Sequence, residues 1–189
     1  MKNHLLTYGS FSEYEIDKIV NEYSEELTFK KRDYIVTAGE VSHYQYFILE
    51  GCMRGFIIDY QGKEHNIIFG FEDFWFGDME SFDSGKAAIY NFQALEPLKL
   101  LAISKENWDK ISTEIPSFIA YKCKLFQNAM MFQQMRIAEH LTQSAEQRYY
   151  NLLQKYPDVI FRISLKNIAS YLGISPEFVS ILRKRAVQK

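Results

Sequence analysis

The residues with the clearest chemical role lie in the last twenty-five positions of the chain, Leu165 to Lys189. Ala169 falls where two helices would approach most closely, and Gly173 falls at a turn that needs positive φ. Ser175 can cap a second helix, and Pro176 follows in its first turn, where a missing N–H costs nothing. Apolar residues occupy the positions that would bury the two helices against each other: Ile168, Leu172, Ile174, Val179 and Leu182. The spacing predicts a helix-turn-helix, a motif typical of DNA-binding proteins.

Charge in the same segment favours DNA over an ordinary helical hairpin that closes a core, which is the alternative interpretation. Six basic residues and one acid, Glu177, lie from Arg162 onward, on a chain of formal charge −2, so residues 1–161 carry −7. A basic pole suits phosphate contacts because neutralised phosphates release counterions, and the acidic remainder would avoid DNA. The six basic residues are Arg162, Lys166, Arg183, Lys184, Arg185 and Lys189. The predicted DNA-contacting residues are Lys166, Ser175, Pro176, Glu177, Ser180, Ile181, Arg183, Lys184 and Arg185.

The elements that must position this motif fall into three stretches. Residues 11–26 have the spacing of a short amphipathic helix, and the chain from Leu27 to Ser104 then reads as short β runs separated by turn residues. Many short strands with regular turns favour a small barrel or a jelly roll, also called a double-stranded β-helix, of cupin-like type. The predicted strands are Ile35–Val36, Tyr46–Leu49, Gly55–Asp59, Asn66–Phe69 and Lys99–Ile103, with a hairpin turn at Tyr60–Lys63.

A long helix is predicted from Pro116 to about His140, after a short one at Glu106–Ser112. It carries two apolar stripes, and a helix that is apolar on two faces must bury both of them. One stripe would pack on its own chain and the other on a second copy, the alternative being one broad face buried within the monomer. The first stripe contains Ile119, Cys123, Phe126, Met130 and Ile137; the second, which we predict to form the dimer interface, contains Phe118, Leu125, Phe132 and Met135.

A capping box at Ser144–Gln147 then starts a helix that Pro157 ends. The expected fold is therefore α+β with three domains. Residues 1–113 form the β-rich domain, residues 114–142 the long helix, and residues 143–189 the helix-turn-helix domain.

Bulk composition excludes several classes. No stretch of the 189 residues approaches the roughly 20 apolar residues of a membrane span, and the N-terminus lacks a secretory apolar segment. Two cysteines, Cys52 and Cys123, are too few for a disulfide framework or an iron–sulfur site, so we expect two packed thiols in a cytoplasmic protein.

Enzymatic or metal chemistry finds little support. The histidines, His4, His43, His65 and His140, show no metal-binding spacing, and neither a phosphate-binding glycine loop nor a nucleophile elbow is present. We therefore expect no catalytic residue, metal or cofactor. An aromatic run could line an effector pocket, although core packing is the favoured interpretation: Phe69, Phe71, Phe74, Trp75 and Phe76.

This order of parts resembles the Crp/Fnr family of bacterial transcription regulators over nearly the whole chain. Its landmarks are Gly39-Glu40 before a strand, Tyr46–Gly51, and Phe76-Gly77-Asp78. Three further fragments are similar to short members from Bacteroidetes-like bacteria, which end soon after the recognition helix without a β-wing: Lys63-Glu64-His65, Ala94-Leu95-Glu96 and residues 168–174. The resemblance implies a homodimer on a near-palindromic double-stranded DNA site, with RNA polymerase and a small-molecule effector as further partners and no membrane association.

The sequence departs from the family's cyclic-nucleotide readers, which hold the ligand with Gly-Glu and Arg-Ser or Arg-Thr pairs. Here the first pair is Gly77-Asp78 and the second falls on Ala88-Ile89, which offers the cyclic phosphate no cation. Lys86 is a poor substitute for a bidentate arginine. We expect no binding of cAMP or cGMP, and an effector site of another kind would involve Phe76, Gly77, Asp78, Lys86, Ala88 and Ile89.

A second departure lies in the recognition helix, where Ile181 replaces an arginine of many relatives and can offer only an apolar contact, for example to a thymine methyl. Glu177 could accept from a cytosine or merely stabilise the helix N-terminus. Two functions remain open: a sequence-specific DNA-binding regulator, or a sensor or scaffold module of the same architecture that has lost specific DNA reading.

Overall fold

The computed structural model describes residues 1–187, so Lys189 lies outside the described residues. The chain divides into two compact units. The first comprises Met1–Gly55 and Phe69–Met130, and the second comprises Phe56–Ile68 and the chain from Met131 onward. The chain passes from one unit to the other within a strand hairpin and within one long helix, because the divisions fall inside these elements.

Within residues 1–187, two short helices come first, eight strands interrupted by one short helix follow, and all elements after Ser104 are helical. The strands are β1 (Glu25–Phe29), β2 (Tyr34–Val36), β3 (Tyr44–Glu50), β4 (Met53–Ile58), β5 (Glu64–Gly70), β6 (Trp75–Phe76), β7 (Asn91–Ala94) and β8 (Leu98–Ser104). The helices are α1 (Lys2–Tyr8), α2 (Glu13–Asn21), α3 (Met79–Ser84), α4 (Lys105–Glu114), α5 (Ser117–Thr142), α6 (Ala145–Lys155), α7 (Val159–Arg162), α8 (Leu165–Leu172) and α9 (Pro176–Val187).

The strands form two four-stranded sheets of a β-sandwich. Their orders are β1-β8-β3-β6 and β2-β7-β4-β5. Strand β8 pairs antiparallel with β1 on one side, from Glu25↔Ala102 to Phe29↔Leu98, and with β3 on the other. Strand β8 is therefore a central strand, and most of its side chains are buried. The mixed helix and sheet content agrees with the α+β expectation.

The sequence did not predict several short elements, and it predicted one helix that is longer than the observed one. The predicted helix at 11–26 ends at Asn21 in the structure, and β1 begins at Glu25. Ser12 and Glu15 form a capping box that starts α2 two residues later than predicted. The missed elements are α1, β1, β6, α3, β7 and α7. All of them are shorter than eight residues, and β1 and β7 exist through pairing with strands remote in sequence.

The core of the first unit contains a cluster in which helices α1, α2 and α4 meet the start of α5. Phe118 and Tyr121 are fully buried there, and Trp108 packs edge-on against Phe118. The Trp75 indole N–H donates to the Tyr121 hydroxyl at 2.8 Å, and the His4 ring lies 2.7 Å from the same oxygen. Burial raises the pKa of Tyr121, so this hydroxyl stays protonated.

The second unit joins a strand hairpin to the helical C-terminal region. The hairpin turn forms as predicted, with Gly62 at positive φ. The Asn66 N–H donates to the Ser170 hydroxyl at 3.0 Å, and that hydroxyl donates to the Glu64 carbonyl at 3.1 Å. Arg136 of α5 donates to the Ile67 carbonyl. Helix α8 therefore satisfies backbone groups of β5 with a side chain, as an edge strand requires.

The two thiols behave differently. Cys52 is buried as expected, but Cys123 is exposed, so the prediction of a packed thiol is wrong there. Position 123 lies on a face of α5 that residues 1–187 leave exposed. Within residues 1–187, no helix combines the length and apolar character that crossing a membrane requires.

Candidate nucleic-acid interface and candidate effector site

Helices α8 and α9 are joined by a turn whose geometry follows from two residues. Gly173 adopts the left-handed conformation (φ 68°, ψ 35°), and its N–H donates to carbonyls of the last turn of α8. The Ser175 hydroxyl accepts from the Phe178 N–H at 3.2 Å and so caps α9. The residues buried between the helices include Ile168, Ala169, Val179 and Leu182. This agrees with the predicted spacing of core and turn residues.

The outer face of α9 carries most of the predicted DNA-contacting residues. Ser175, Pro176, Glu177, Ile181, Lys184 and Arg185 are exposed, and Lys166 of α8 is exposed as well. Ser180 and Arg183 are half-buried. Phe178, which the sequence analysis did not select, lies one turn before Ile181 and is also exposed. The exposure of Phe178 could have been predicted from the spacing, because position 178 does not coincide with the predicted buried positions Ile174, Val179 and Leu182.

Two charged groups of this face have partners within the chain. The Glu177 carboxylate accepts from its own backbone N–H and from Ser175, and these hydrogen bonds lower the pKa of Glu177. Such contacts are typical of an acidic residue in the first turn of a helix. Arg185 lies 3.9 Å from the Glu146 carboxylate, both side chains being substantially exposed, so the pair is weak and easily exchanged.

The predicted effector site centres on Asp78, and the structure gives this residue a structural role. Its side chain caps α3 by accepting from the Ser81 N–H at 3.1 Å. The second carboxylate oxygen accepts from the N–H groups of Ile89 and Tyr90, at 2.8 and 3.3 Å. Asp78 is only 2 % exposed, and both oxygens bind backbone. The aspartate that takes the place of the family's glutamate therefore holds the segment 89–90 against the start of α3.

The other predicted effector residues do not share one surface. Phe76 and Ala88 are buried, whereas Ile89 is exposed. Lys86 is exposed and lies 3.5 Å from Glu80. A Cβ on Gly77 would come within 2.8 Å of the Gln45 amide, so this glycine permits close packing on β3.

Part of the aromatic run beside this site is core, as the favoured interpretation expects, while Phe71, Phe74 and Trp75 are half-buried. Phe69 and Phe76 are buried, and Phe76 stacks on Tyr46 with a centroid separation of 5.2 Å. Trp75 packs edge-on against Trp108. Among residues 1–187 no group of three or more His, Cys, Asp or Glu side chains is placed to hold a metal ion.

The burial of the two apolar stripes of α5 is the reverse of the predicted burial. Phe118 is fully buried in its own chain and Leu125 packs against the same core, so neither can serve as predicted in a dimer interface. Phe132 is half-buried under the Lys155 ammonium, 3.7 Å from its ring centroid. Of the predicted interface set only Met135 is largely exposed. The stripe that α5 exposes is the other one, which we call the outer seam: Ile119, Cys123, Phe126, Met130 and Ile137.

Comparison with known proteins agrees with this architecture. Residues 26–114 match the family model of the cyclic nucleotide-binding domain. A search of curated protein sequences finds no significant match to the chain. Similar solved structures are numerous, at low sequence identity.

Three of these structures cover most of the chain. CLP, described as a c-di-GMP-responsive global regulator from Xanthomonas campestris, has a TM-score of 0.74 at 13 % identity, covering 94 % of this chain and 92 % of its own. FixK2 from Bradyrhizobium japonicum has a TM-score of 0.70 at 19 % identity, with coverages of 87 % and 85 %. A CRP/FNR-family transcriptional regulator from Thermus thermophilus has a TM-score of 0.69 at 18 % identity, with coverages of 87 % and 86 %. Residues 26–114 thus match the cyclic nucleotide-binding domain family, and the chain as a whole shares the fold of these three proteins, one of which is a CRP/FNR-family regulator.

Proposed function

We propose that this protein is a homodimeric, sequence-specific DNA-binding transcription regulator whose β-sandwich domain does not bind cAMP or cGMP. The observation that carries the proposal is the pair α8–α9, with a buried inner face and an outer face that presents hydroxyl, apolar and basic side chains. Crp/Fnr-type regulators are generally not enzymes, and the fold therefore favours binding over catalysis.

In this proposal α8 and α9 form a helix-turn-helix, and α9 enters the major groove. The phosphates are bound by the basic residues Lys166, Arg183, Lys184 and Arg185. The base edges are faced by Ser180 and Ile181. The contacts of Glu177 with Ser175 and its own N–H favour a stabilising role at the α9 N-terminus over base reading. Phe178 joins Ile181 as a second apolar group, suited to thymine methyls.

The outer seam of α5 supports dimerisation. Its residues recur at alternating spacings of four, three, four and seven, which is the heptad pattern of a two-stranded coiled coil. Phe126 is 46 % exposed and Met130 63 % exposed, although both side chains are large and apolar. A second copy of the same helix is the occupant with a matching pattern, since a two-fold axis pairs identical surfaces.

The absence of cyclic-nucleotide binding rests on Asp78, Ala88 and Ile89. The Asp78 oxygens already accept three backbone N–H groups, and the positions expected to bind the phosphate carry no cation. Titration calorimetry with cAMP and cGMP at micromolar concentrations is expected to show no binding heat. A micromolar dissociation constant for either nucleotide would contradict this part of the proposal.

Selection of bound sites from random duplexes tests the main proposal. The purified protein should enrich a near-palindrome with half-site centres about 34 Å apart, roughly one helical turn. Binding to the selected site should exceed binding to scrambled duplex at physiological salt. Cross-linking of Cys123 with a short bis-maleimide gives an independent test, since this thiol is the exposed one and would face its copy across the seam.

The second candidate function is a sensor or scaffold module without specific DNA reading. The exposed isoleucine at 181, in place of an arginine that can grip guanine, favours it. Such a protein would bind all duplexes weakly and lose that binding steeply with salt, without enriching any sequence.

A further inference from the structure

A cavity of about 110 Å³ lies within the second unit, where the C-terminal half of α5 meets α6 and the end of α8. Aromatic side chains form much of its wall: Phe132 from α5, Tyr156 after α6, and Tyr171 from α8. An apolar cavity of roughly 150 Å³ holds a benzene molecule. This cavity is smaller but partly open, so a ring-sized body can enter it with its polar end at the mouth.

The same cavity is rich in positive charge. Arg136, Arg148 and Lys155 line it, against one carboxylate, Glu139. Asn151 donates to that carboxylate at 3.3 Å, so Glu139 already has a hydrogen-bond partner. The pocket therefore has more cationic than anionic groups, which an anion would balance.

Two of these cations have donors for which the described residues supply no acceptor. The Lys155 ammonium rests over the rings of Phe132 and Tyr156, at 3.7 and 5.4 Å from their centroids, and within the described part of the chain it has no carboxylate hydrogen bond. The Arg148 Nε is buried without a partner, although its two terminal nitrogens donate to the carbonyls of Gln143 and Leu172. Although Lys155 is exposed, desolvation of part of its side chain lowers the pKa of the ammonium, while the nearby Glu139 carboxylate opposes this shift.

We propose that this cavity binds a small organic anion with a compact hydrocarbon body, its carboxylate or phosphate facing Lys155 and its body lying between the aromatic walls. The outer seam lies on the opposite side of α5, since Phe126, Met130 and Ile137 are a half-turn away from Phe132 and Glu139. Dimerisation would leave the cavity accessible. The ligand would contact α5, α6 and α8 at once, and its binding can be measured independently of any DNA.

The test uses 4-fluorobenzoate as the probe, with fluorine NMR relaxation of the full chain as the readout. Saturable binding is expected for 4-fluorobenzoate, and at least tenfold weaker binding for its neutral isostere 4-fluorobenzamide. Inorganic phosphate at equal ionic strength should displace the probe less effectively than unlabelled benzoate, since it lacks the apolar body. Equal binding of acid and amide, or no saturable binding of the acid, would overturn the proposal on the unaltered protein.

Variants locate the site. Lys155→Met keeps the aliphatic stem and removes the charge, and it should raise the dissociation constant about tenfold or more. Lys155→Arg should retain binding within a few-fold. Lys110→Met, which removes an exposed lysine of the first unit, is the matched control and should change nothing. An unchanged dissociation constant in Lys155→Met, or loss of probe binding in Lys110→Met, would place the anion elsewhere and contradict the assignment.

Discussion

Two helix N-termini illustrate how differently the two units use their polar residues. Asp78 caps α3 and is almost fully buried, with both oxygens bound to backbone N–H groups. Ser175 caps α9 with one hydrogen bond and is exposed, as are the residues that follow it. The first terminus is closed by the chain itself, whereas the second remains open to a partner. The Gly77-Asp78 landmark therefore does not by itself indicate a ligand site, because the Asp78 oxygens already accept hydrogen bonds from the backbone.

The same contrast divides α5, and the largest expected effect concerns its open side. Replacing Phe126 and Met130 with Glu should convert dimers to monomers, because each charge buried in the outer seam without a partner costs about 3–5 kcal/mol. Sedimentation velocity measures the change. Ile89→Glu, also on an exposed isoleucine but outside the seam, is the control. A double variant that sediments like the unaltered protein would show that the seam is not the interface.

At the closed terminus, Asp78→Asn should destabilise the first unit by about 1–3 kcal/mol, since amide hydrogens would replace part of a charged acceptor for three N–H groups. Urea unfolding followed by circular dichroism gives the free energy of unfolding. Glu80→Gln, two residues later on the exposed side of α3, should stay within about 0.5 kcal/mol. Equal stability of Asp78→Asn and the unaltered protein would mean that the site is less closed than the contacts indicate.

At the N-terminus of α9, substitutions of phosphate-binding residues and of base-contacting residues should have different effects on DNA binding. Arg183→Ala should weaken binding to every duplex and flatten the slope of log K against log salt by about one unit, because one phosphate contact is lost. Ile181→Ala should instead change the preferred base at one position, by about 1 kcal/mol or slightly more. Fluorescence anisotropy at several salt concentrations measures both. If Arg183→Ala changes the preferred sequence and Ile181→Ala does not, the assignment of roles is reversed.

The smallest effect is a pH dependence of the second unit. Burial, with Arg148 and Arg136 nearby, lowers the pKa of His140 below its ordinary 6.5, while Glu139 opposes the shift. The unfolded chain then binds more protons than the folded one below this pH, so stability is complete above about 6.5 and declines as the pH falls. His140→Gln should reduce this decline in thermal unfolding between pH 7 and 5. An identical pH profile for the variant would exclude His140 as its source.

The sequence by itself determined the features that local chemistry controls. Ser144 and Gln147 form the predicted capping box, Gly62 and Gly173 take the positive φ that their turns need, and α5 begins directly after Pro116. These outcomes depend on groups within a few residues of each other, so their patterns are legible along the chain. The basic C-terminal segment could also be identified from the sequence, because it depends on residue type alone.

Only the tertiary structure decided which apolar face of α5 is buried and whether the Asp78 carboxylate is available to bind a ligand. Both stripes have helical spacing and similar composition, and burial depends on the core residues that pack opposite Phe118 and Tyr121. Two of the N–H groups that donate to Asp78 come from residues 89 and 90, beyond the helix it caps. The strands β1 and β7 likewise form because remote strands supply their partners. Contacts between distant segments leave no periodic signal within either one, and that is why the sequence could not assign them.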